Sequence, residues 1–401
     1  MSSASQSYAS SVFMLSATRS AIGSFGGSLK DTTPIDLGTM IARAAIERSG
    51  VAAEAIGHAV FGNVIHTEPR DAYISRCIAL GAGMADSSQA LTVNRLCGSG
   101  LQAIVSACQL IQLGDTAIAL AGGVEVMSRG GHLVPSQRWG SRMGDATMHD
   151  MMLGALHDPF GGGHMGITAE NVAAEYGISR DDQDQFAATS QARAAAASGK
   201  NLFRDQITPL TCRLGRKEIM FDTDEYIRPE TTAESLAGLR PAFRKDGSVT
   251  AGNSSGINDG AAALVLASAD AVAAGGHSPL ARIVSYGFGG VAPQVMGMGP
   301  VPATRMALEK SGLGIADLAV VESNEAFAAQ ACAVSRQLGL DPERVNPNGG
   351  AIALGHPVGA TGAVIMTKLV YELKRTGGRY GLATMCIGGG QGIAVIIDAQ
   401  P

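Results

Sequence analysis

Two cysteines of this 401-residue chain stand directly before glycine-rich segments, where a thiol could act as a nucleophile or as an acid–base group. Cys97 lies in NRLCGSGLQA at 94–103, and Cys386 lies in TMCIGGGQG at 384–392. A strand pattern ends and a helix pattern begins at Cys97, and the N-terminal end of a helix favours a thiolate. The glycines after Cys386 expose backbone N–H groups that can donate hydrogen bonds to an oxyanion. The competing interpretation of each cysteine is a small buried hydrophobe.

A histidine and an asparagine lie in two further segments that are typical of a site. His356 lies in NPNGGAIALGHPVGATG at 346–362, between a glycine and a proline, and Asn324 lies in SNEAFAAQ at 323–330. A lone histidine is more often a satisfied core or surface residue. A cysteine activated by a histidine is nevertheless a standard nucleophile pair, and both segments follow predicted strands, where α/β sites gather.

Several classes of function are excluded by composition or by missing motifs. A net charge of −5 and a pI near 5.9 give no support for nucleic-acid binding. The sequence contains no P-loop, no H-E-x-x-H and no C-x-x-C, and the glycine-rich segment 286–290 (YGFGG) does not fit the dinucleotide motif G-x-G-x-x-G, so we expect no nucleotide cofactor and no metal. It contains no run of 18 apolar residues, so we expect no membrane span. The Ser-rich N-terminus has no basic residue before Arg19, which argues against a targeting peptide. Free thiols in a reducing compartment, the cytoplasm, are then expected.

An internal repeat organises the elements that must position these residues. The segment 45–50 (AIERSG) recurs at 307–312 (ALEKSG), an offset of 262 residues, and the same offset places 98–100 (GSG) on 360–362 (ATG). After a slip of four residues, the glycine pair 122–123 falls on 388–389. The pattern predicts two copies of one unit of alternating strands and helices, with a mostly parallel sheet covered by helices.

A stretch without a partner in the other copy separates the two. Residues 127–257 are rich in Met and His at first, and a capping box at Ser179 predicts a helix to about Ser198. An insertion between two copies is a natural place for substrate specificity, although a surface excursion is the plainer alternative. We therefore predict an N-terminal half of residues 1–126 plus 258–278, an insertion at 127–257 and a C-terminal half at 279–401.

Six motifs in order resemble those of the thiolase family over essentially the whole chain. They are the four segments above, with GHMGITAENVA at 163–173 and TAGNSSGINDGAA at 250–262. The resemblance implies an α/β fold with a duplicated five-layered α-β-α-β-α core and an inserted loop domain. It is strongest to bacterial acetyl-CoA acetyltransferases and to the broad-range β-ketothiolases that supply polyhydroxyalkanoate synthesis. The β-ketoacyl-synthase relatives carry a second histidine at the position of Cys386, which argues against them.

The resemblance also implies roles for the site residues. Such enzymes run a ping-pong Claisen condensation, or its thiolytic reverse, on CoA thioesters. Cys97 would take the acyl group, His356 would accept its proton, and Cys386 would remove or return the α-proton of the second thioester. One oxyanion hole would use the N–H groups of Cys97 and Gly388. The other would use His356 and a water held by Asn324.

Coenzyme A would lie mainly against the insertion. Leu156 and Phe243 would cover pantetheine and adenine, Arg228 would lie near the adenine, and Ser255 would meet the pantetheine amide. Met165 and Met296 would bound the acyl pocket, for which the adaptable Met side chain is suited. Glycines at 161–163 leave the pocket width, and so the chain-length preference, open. The matching family positions are Leu156, His164, Met165, Arg228, Ser235, Phe243, Ser255 and Phe327.

The sequence thus predicts an acetyl-CoA C-acyltransferase of short acyl chains in fatty acid metabolism. Its partners would be acetyl-CoA, acyl-CoA and CoA, and no cofactor beyond these thioesters is expected. The alternatives are a degradative 3-ketoacyl-CoA thiolase or a 3-oxoadipyl-CoA thiolase. A non-catalytic acyl-CoA-binding protein would need none of Cys97, His356 and Cys386. Relatives are dimers or dimers of dimers, so a homotetramer with residues 130–150 at the tetramer contact is expected.

Overall fold

The computed structural model describes residues 11–401, apart from the surroundings of the Leu214 side chain. The strands are β1 Val12–Arg19, β2 Gly23–Ser24, β3 His58–Gly62, β4 Gln89–Val93, β5 Ile118–Val126, β6 His132–Leu133, β7 His149–Asp150, β8 His157–Asp158, β9 Gly163–His164, β10 Leu210–Leu214, β11 Lys217–Phe221, β12 Asn258–Ser268, β13 Ala281–Gly290, β14 Leu318–Ser323, β15 Tyr380–Ile387 and β16 Gln391–Asp398. The helices are α1 Pro34–Ser49, α2 Ile74–Gly81, α3 Ser99–Leu113, α4 Met151–Ala155, α5 Met165–Tyr176, α6 Arg180–Gly199, α7 Ala233–Ala237, α8 Ala269–Gly275, α9 Pro300–Ser311, α10 Ala328–Leu338, α11 Ala351–Leu354 and α12 Thr361–Thr376.

The large sheet is mixed, so the prediction of a mostly parallel sheet is wrong. Its strand order is β14-β15-β16-β13-β1-β12-β5-β3-β4, with β2 paired to β12. Among the described strands of this sheet, the pairs β3–β4, β3–β5 and β14–β15 are parallel and the others are antiparallel. The difference arises because the last strand of the core in each half, β12 or β16, runs antiparallel to its neighbour, β5 or β15. In the C-terminal half, β15 and β16 are joined by residues 388–390 alone, and so short a turn can join only antiparallel strands.

The two halves have the same core order, as the repeat predicts. β5 pairs in parallel with β3 and antiparallel with β12, and β15 pairs in the same way with β14 and β16. The offset of 262 residues separates the first residues of α3 and α12, Ser99 and Thr361, and also those of β5 and β15, Ile118 and Tyr380. The duplicated core is therefore a property of the fold as well as of the sequence. The domain boundaries given above stay a prediction.

The core consists of five layers with α3 and α12 in the middle. These two helices contact each other, and both contact strands of the N-terminal and the C-terminal half. α1 and α2 pack on the outer face of the N-terminal strands, and α9 packs on β13 and β16. By length and hydropathy, the segment Leu96–Leu113 of this central layer would be able to span a membrane. Its apolar residues on α3 are largely buried in the protein core, which accounts for the hydropathy.

Helices α5 and α6 of the insertion pack along the C-terminal half. The capping box predicted at Ser179 is present, with Asp182 as its second member, and α6 ends at Gly199, close to the predicted end. α6 contacts α10 and α11, and α5 contacts α10. The insertion therefore borders the segments that follow β14 and precede α12, which carry Asn324 and His356.

Two glycines of β5 allow close approaches, Gly122 within the N-terminal half and Gly123 between the two halves. A Cβ at Gly122 would lie 2.7 Å from the ring of Phe61, and one at Gly123 would lie 2.3 Å from the carbonyl oxygen of Gly359. Both distances are far below van der Waals contact. The backbone of β5 therefore touches the loop 356–360 directly, and no side chain fits between them.

Gly123→Ala should lower the thermal unfolding midpoint, because its methyl group would displace the backbone of Gly359. Overpacking of this kind typically costs about 1–3 kcal/mol. Gly199→Ala in the last turn of α6 is a matched control, since a Cβ there meets nothing within 4 Å. Calorimetry on both variants checks this, and an unchanged midpoint for Gly123→Ala would contradict the close contact.

Candidate active site

A cavity of about 310 Å³ opens where the ends of β5, β14 and β15 meet the insertion. Both halves and the insertion contribute to its walls. The predicted site residues that line it are Cys97, Leu156, His164, Met165, Phe243, Ser255, Met296, Phe327, His356, Cys386 and Gly388. The cavity wall also contains residues that the sequence analysis did not name as site residues, including Leu96, Met127, Tyr226, Ile257 and Val358.

Cys97 lies at the turn between β4 and α3. Leu96 has a φ of 45°, a left-handed conformation that is unfavourable for a leucine. The hydroxyl of Ser99 holds the turn, since it accepts from the N–H of Arg95 at 2.9 Å and donates to the carbonyl of Leu96 at 2.7 Å. The strained turn directs the thiol into the cavity, where the N–H of Gly388 donates to it.

The resting state of Cys97 is a neutral thiol. Burial raises its pKa to about 11, although the N–H of Gly388 opposes this effect. The N–H of Cys97, at the start of α3, lowers this pKa as expected, but its effect is smaller than that of burial. Desolvation of the charged form outweighs the few backbone dipoles that face the sulfur. A base must take the proton as the thiol reacts.

His356 has the geometry of such a base. Its Nδ1 lies 2.6 Å from Oγ1 of Thr361, whose hydroxyl donates to the carbonyl of Pro357 at 2.8 Å. Because that hydroxyl has a single proton, Nδ1 must be the donor to Thr361, and Nε2 then carries a lone pair. Nε2 is buried without a protein partner in a residue that lines the cavity. Burial lowers the pKa of His356 to about 4, which keeps the imidazole neutral near pH 7.

The segment that carries His356 is also held through its backbone. The N–H of His356 donates to Oδ1 of Asn258 at 3.0 Å, and Nδ2 of Asn258 donates to the carbonyl of Gly23 at 3.0 Å. A Cβ at Gly355 would lie 2.4 Å from the Asn258 amide, so the chain at this point must be glycine. Its φ of 109° requires glycine as well. The imidazole is thereby fixed at both its ring and its backbone.

Cys386 lies at the end of β15, fully buried beside Cys97. Burial raises the pKa of its thiol, and the proximity of Cys97 raises it further. The chain then turns through Gly388, where a Cβ would lie 3.0 Å from Cε of Met165 and 3.1 Å from Cδ1 of Leu96. The Gly388 N–H therefore reaches the cavity with no side chain in the way.

Asn324 is the one predicted catalytic residue outside the lining of this cavity. Its backbone N–H donates to the carbonyl of Thr384 at 3.0 Å, while both polar atoms of its buried side chain have no protein partner. The side chain borders a small space of about 10 Å³ next to Gly355 and Thr361. That volume is close to the smallest that holds a water. A bound water would satisfy these atoms, and its presence stays a prediction.

The predicted coenzyme A residues fall into two groups. An aromatic wall is formed by His164, which stacks on Phe243 at 4.7 Å, and by Phe327, which meets Phe243 edge-on at 6.1 Å. Burial lowers the pKa of His164, and His157 lowers it further, so its ring is neutral. Leu156, Met165, Ser255 and Met296 complete the first group.

Arg228 and Ser235 form the second group, which lies on the surface outside the cavity. The guanidinium of Arg228 stands 5.0 Å from the ring centre of Tyr226, and Ser235 bonds to Thr232 at the start of α7. Their contacts with coenzyme A stay predictions. Among residues 11–401, no cluster of three or more His, Cys, Asp or Glu side chains is arranged to hold a metal ion.

Thr361 and Asn258 are residues of the site that the sequence analysis missed. Both belong to motifs quoted above, GHPVGATG and TAGNSSGINDGAA, so their positions were visible. Their partners were not visible, because Asn258 reaches His356 across 98 residues of chain. No spacing rule connects such residues.

Comparison with known proteins places the chain in a family. The model of the thiolase N-terminal domain matches residues 12–270, and that of the thiolase C-terminal domain matches residues 277–399. The chain therefore belongs to the thiolase family, as the motifs indicate. It is 58% identical over 388 residues to beta-ketothiolase BktB of Cupriavidus necator, covering 96% of this chain and 98% of that one. It is 47% identical over 394 residues to an acetyl-CoA acetyltransferase of Syntrophomonas wolfei, covering 97% and 99%.

The fold agrees with solved structures of the family. The crystal structure of human mitochondrial 3-ketoacyl-CoA thiolase in complex with CoA matches with a TM-score of 0.94 at 44% identity, covering 97% of this chain and 98% of that one. The α/β class and the layered, duplicated core are those of a thiolase.

Thr361→Val should slow acyl transfer by a factor on the order of 10². Without Oγ1 of Thr361, nothing would accept the Nδ1 proton of His356, so neither the tautomer nor the position of the ring would be fixed. Thr367→Val is the matched control on the same helix, since its hydroxyl bonds only to the carbonyl of Ala363 in the described contacts. Steady-state kinetics of both variants check the expectation. A kcat for Thr361→Val equal to that of the control would show that the Nδ1 bond is unimportant.

Proposed function

We propose that this chain is an acetyl-CoA C-acyltransferase, a β-ketothiolase. It would join acetyl-CoA to a short acyl-CoA, or cleave a 3-ketoacyl-CoA with CoA, through an acyl-enzyme on Cys97. One observation carries the proposal. A neutral imidazole whose Nε2 has no protein partner shares one cavity with two thiols, those of Cys97 and Cys386. A nucleophile, a base for it and a second acid–base group are the parts that this reaction needs.

Acyl transfer begins with attack of Cys97 on the thioester carbonyl. As the new S–C bond forms, Nε2 of His356 takes the thiol proton. The N–H groups of Cys97 and Gly388 donate hydrogen bonds to the carbonyl oxygen, which carries negative charge in the tetrahedral state. The bond to coenzyme A then breaks, and the departing sulfur takes the proton of Cys386. Acyl-Cys97, an imidazolium and a Cys386 thiolate remain.

Carbon–carbon bond formation uses the second thiol as a base. The Cys386 thiolate removes an α-proton from the second acetyl-CoA, and its high proton affinity in a desolvated position suits a weak carbon acid. The protonated Nε2 of His356 and a water held by Asn324 stabilise the enolate oxygen. The enolate carbon attacks the acyl carbonyl, and Cys97 leaves with the proton of His356. All three groups return to their resting protonation states.

Coenzyme A and the acyl chain have separate supports in the cavity. The aromatic wall of His164, Phe243 and Phe327 with Leu156 would hold the pantetheine arm, and Ser255 would meet its amide. Met165 and Met296 would bound the acyl chain. The CoA-bound structure among the similar proteins supports CoA thioesters as substrates. Arg228 and Ser235 would reach only the adenine end, which suits their exposure.

The biological setting is part of the same proposal. We infer a cytoplasmic enzyme of fatty acid metabolism that supplies short 3-ketoacyl-CoA for polyhydroxyalkanoate synthesis, with no cofactor beyond its CoA substrates. A homotetramer is supported by the exposed apolar side chains of residues 130–150, since Trp139 is 91% and Met143 is 93% exposed. Thiolysis rates over a ladder of 3-ketoacyl-CoA lengths separate this proposal from a degradative thiolase of longer range.

Acetyl-CoA alone should add one acetyl group per chain, on Cys97. Intact mass and peptide mapping after a short incubation test this, and Cys97→Ala should remove the label. Cys77→Ser should keep it, because Cys77 lies on α2 away from the cavity. Acetyl label on Cys77 or Cys108 instead of Cys97 would overturn the assignment.

Cys386→Ser should separate the two half-reactions. The hydroxyl of serine has a pKa several units above that of a thiol, so α-proton exchange, condensation and thiolysis should fall by a factor of about 10²–10⁴. A burst of acetyl-enzyme should persist, because coenzyme A can leave as a thiolate. Deuterium exchange at the α-carbon and burst amplitude are measured on the same variant. Normal exchange without acetylation would mean that the two cysteines have the opposite roles.

A further inference from the structure

Glu125, near the end of β5, is a buried carboxyl that the mechanism above does not use. Its two oxygens each accept two hydrogen bonds. Oε1 accepts from Nδ2 of Asn63 at 3.1 Å and from the N–H of Ile65 at 3.1 Å. Oε2 accepts from the N–H of Val64 at 3.0 Å and from the N–H of Gly359 at 2.9 Å. One carboxyl group thus joins the N-terminal half to the loop that carries His356.

These bonds require the ionised carboxylate. All four partners are N–H groups, so a protonated carboxyl would direct its O–H at a donor and find no acceptor. Burial raises the pKa of Glu125 to about 8, against the bonds from Ile65, Val64 and Gly359, and the charge of Asp71 raises it a little further. Because the protonated form would lose bonds on at least one oxygen, the fourfold coordination favours the charged form.

The position of Gly359 gives this contact its consequence. Gly359 lies between His356 and Thr361, the two residues whose hydrogen bond sets the tautomer of the imidazole. A Cβ at Gly359 would lie 2.5 Å from Oε2 of Glu125, so the carboxylate touches the loop backbone itself. Movement of Glu125 would therefore move the segment that holds the base.

The carboxylate also acts on the nucleophile through its charge. Glu125 disfavours the thiolate of Cys97 and adds to the effect of burial. The other titratable groups in the cavity wall around this thiol are Cys386, His356, His164 and Tyr226. The two histidines are neutral near pH 7, since burial lowers the pKa of each. Because the pKa of Glu125 is about 8 and that of Cys97 is about 11, Glu125 is ionised over the pH range in which this thiol loses its proton, and its negative charge opposes that loss.

We propose that Glu125 is a positioning residue of the acyl-transfer reaction. Its carboxyl group fixes Gly359, and with it the His356–Thr361 pair, and its charge in the ionised form disfavours the thiolate of Cys97. The proposal rests on the function proposed above. Nothing in the reaction passes through Glu125 itself, which touches neither substrate nor the reacting atoms.

Two variants separate position from charge. Glu125→Gln keeps the size but removes the charge, and its NH₂ group must face two N–H donors. Glu125→Asp keeps the charge but is too short to reach Gly359. Both should slow single-turnover acetylation of Cys97 by a factor on the order of 10², as expected for a displaced base. Alkylation of Cys97 by iodoacetamide, followed against pH, should have its midpoint at lower pH in Glu125→Gln and near that of the unaltered enzyme in Glu125→Asp.

Glu170→Gln controls for the general cost of removing a buried charge. Glu170 is a buried carboxyl that likewise accepts backbone N–H groups, those of Ser248 and Val249, and it lies outside the cavity wall. In Glu170→Gln, the rate of Cys97 acetylation and the midpoint of Cys97 alkylation should not change. Acetylation in both Glu125 variants at the rate of the unaltered enzyme would overturn the proposal, as would an alkylation midpoint in Glu125→Gln that stays in place or rises. Absence of acetylation in the unaltered enzyme would instead overturn the function proposed above.

Discussion

The direct backbone contact between β5 and the loop 356–360 is the constraint on which the site depends. The side-chain-free surface at Gly123 lets the carbonyl of Gly359 approach, and Glu125 two residues later accepts the N–H of the same residue at 2.9 Å. This contact brings an element of the C-terminal half against the sheet of the N-terminal half. Cys97 of one half and His356 of the other, the proposed nucleophile and base, then share one cavity.

Desolvation sets the protonation states within that cavity. Burial raises the pKa of both site cysteines and lowers that of His356 to about 4, so all three groups are uncharged at rest. An uncharged resting site avoids the cost of burying ions and leaves the thiols slow to react with stray electrophiles. In the proposed reaction, charge appears only as the substrate carbonyl arrives, when the proposed oxyanion donors, such as the N–H of Gly388, are already in place.

The sequence predicted the large features of fold and site because they follow from local patterns. The repeat at an offset of 262 residues predicted the common order of the halves, and the box at Ser179 predicted α6 to within a residue of its end. Motif order was enough to nominate the residues that meet in the cavity. The antiparallel pairing was missed because a short apolar strand looks the same in either direction.

The remaining errors concern environment rather than identity. The start of α3 at Cys97 suggested a thiolate, but no sequence pattern reports how fully a cavity excludes water. The hydrogen-bond partners of His356 and Gly359 lie on elements far away in the chain, 98 and 234 residues from them, and were therefore invisible.

The central claim is that His356 is a neutral base with its lone pair on Nε2. Nitrogen-15 NMR of histidine-labelled protein measures this directly, with the His356 signals assigned by their loss in His356→Asn. The account predicts a protonated Nδ1, an unprotonated Nε2 and no titration of this ring between pH 8 and pH 5, since its pKa is lowered to about 4. A ring that titrates near its ordinary pKa of about 6.5, or one that carries its proton on Nε2, would contradict the account.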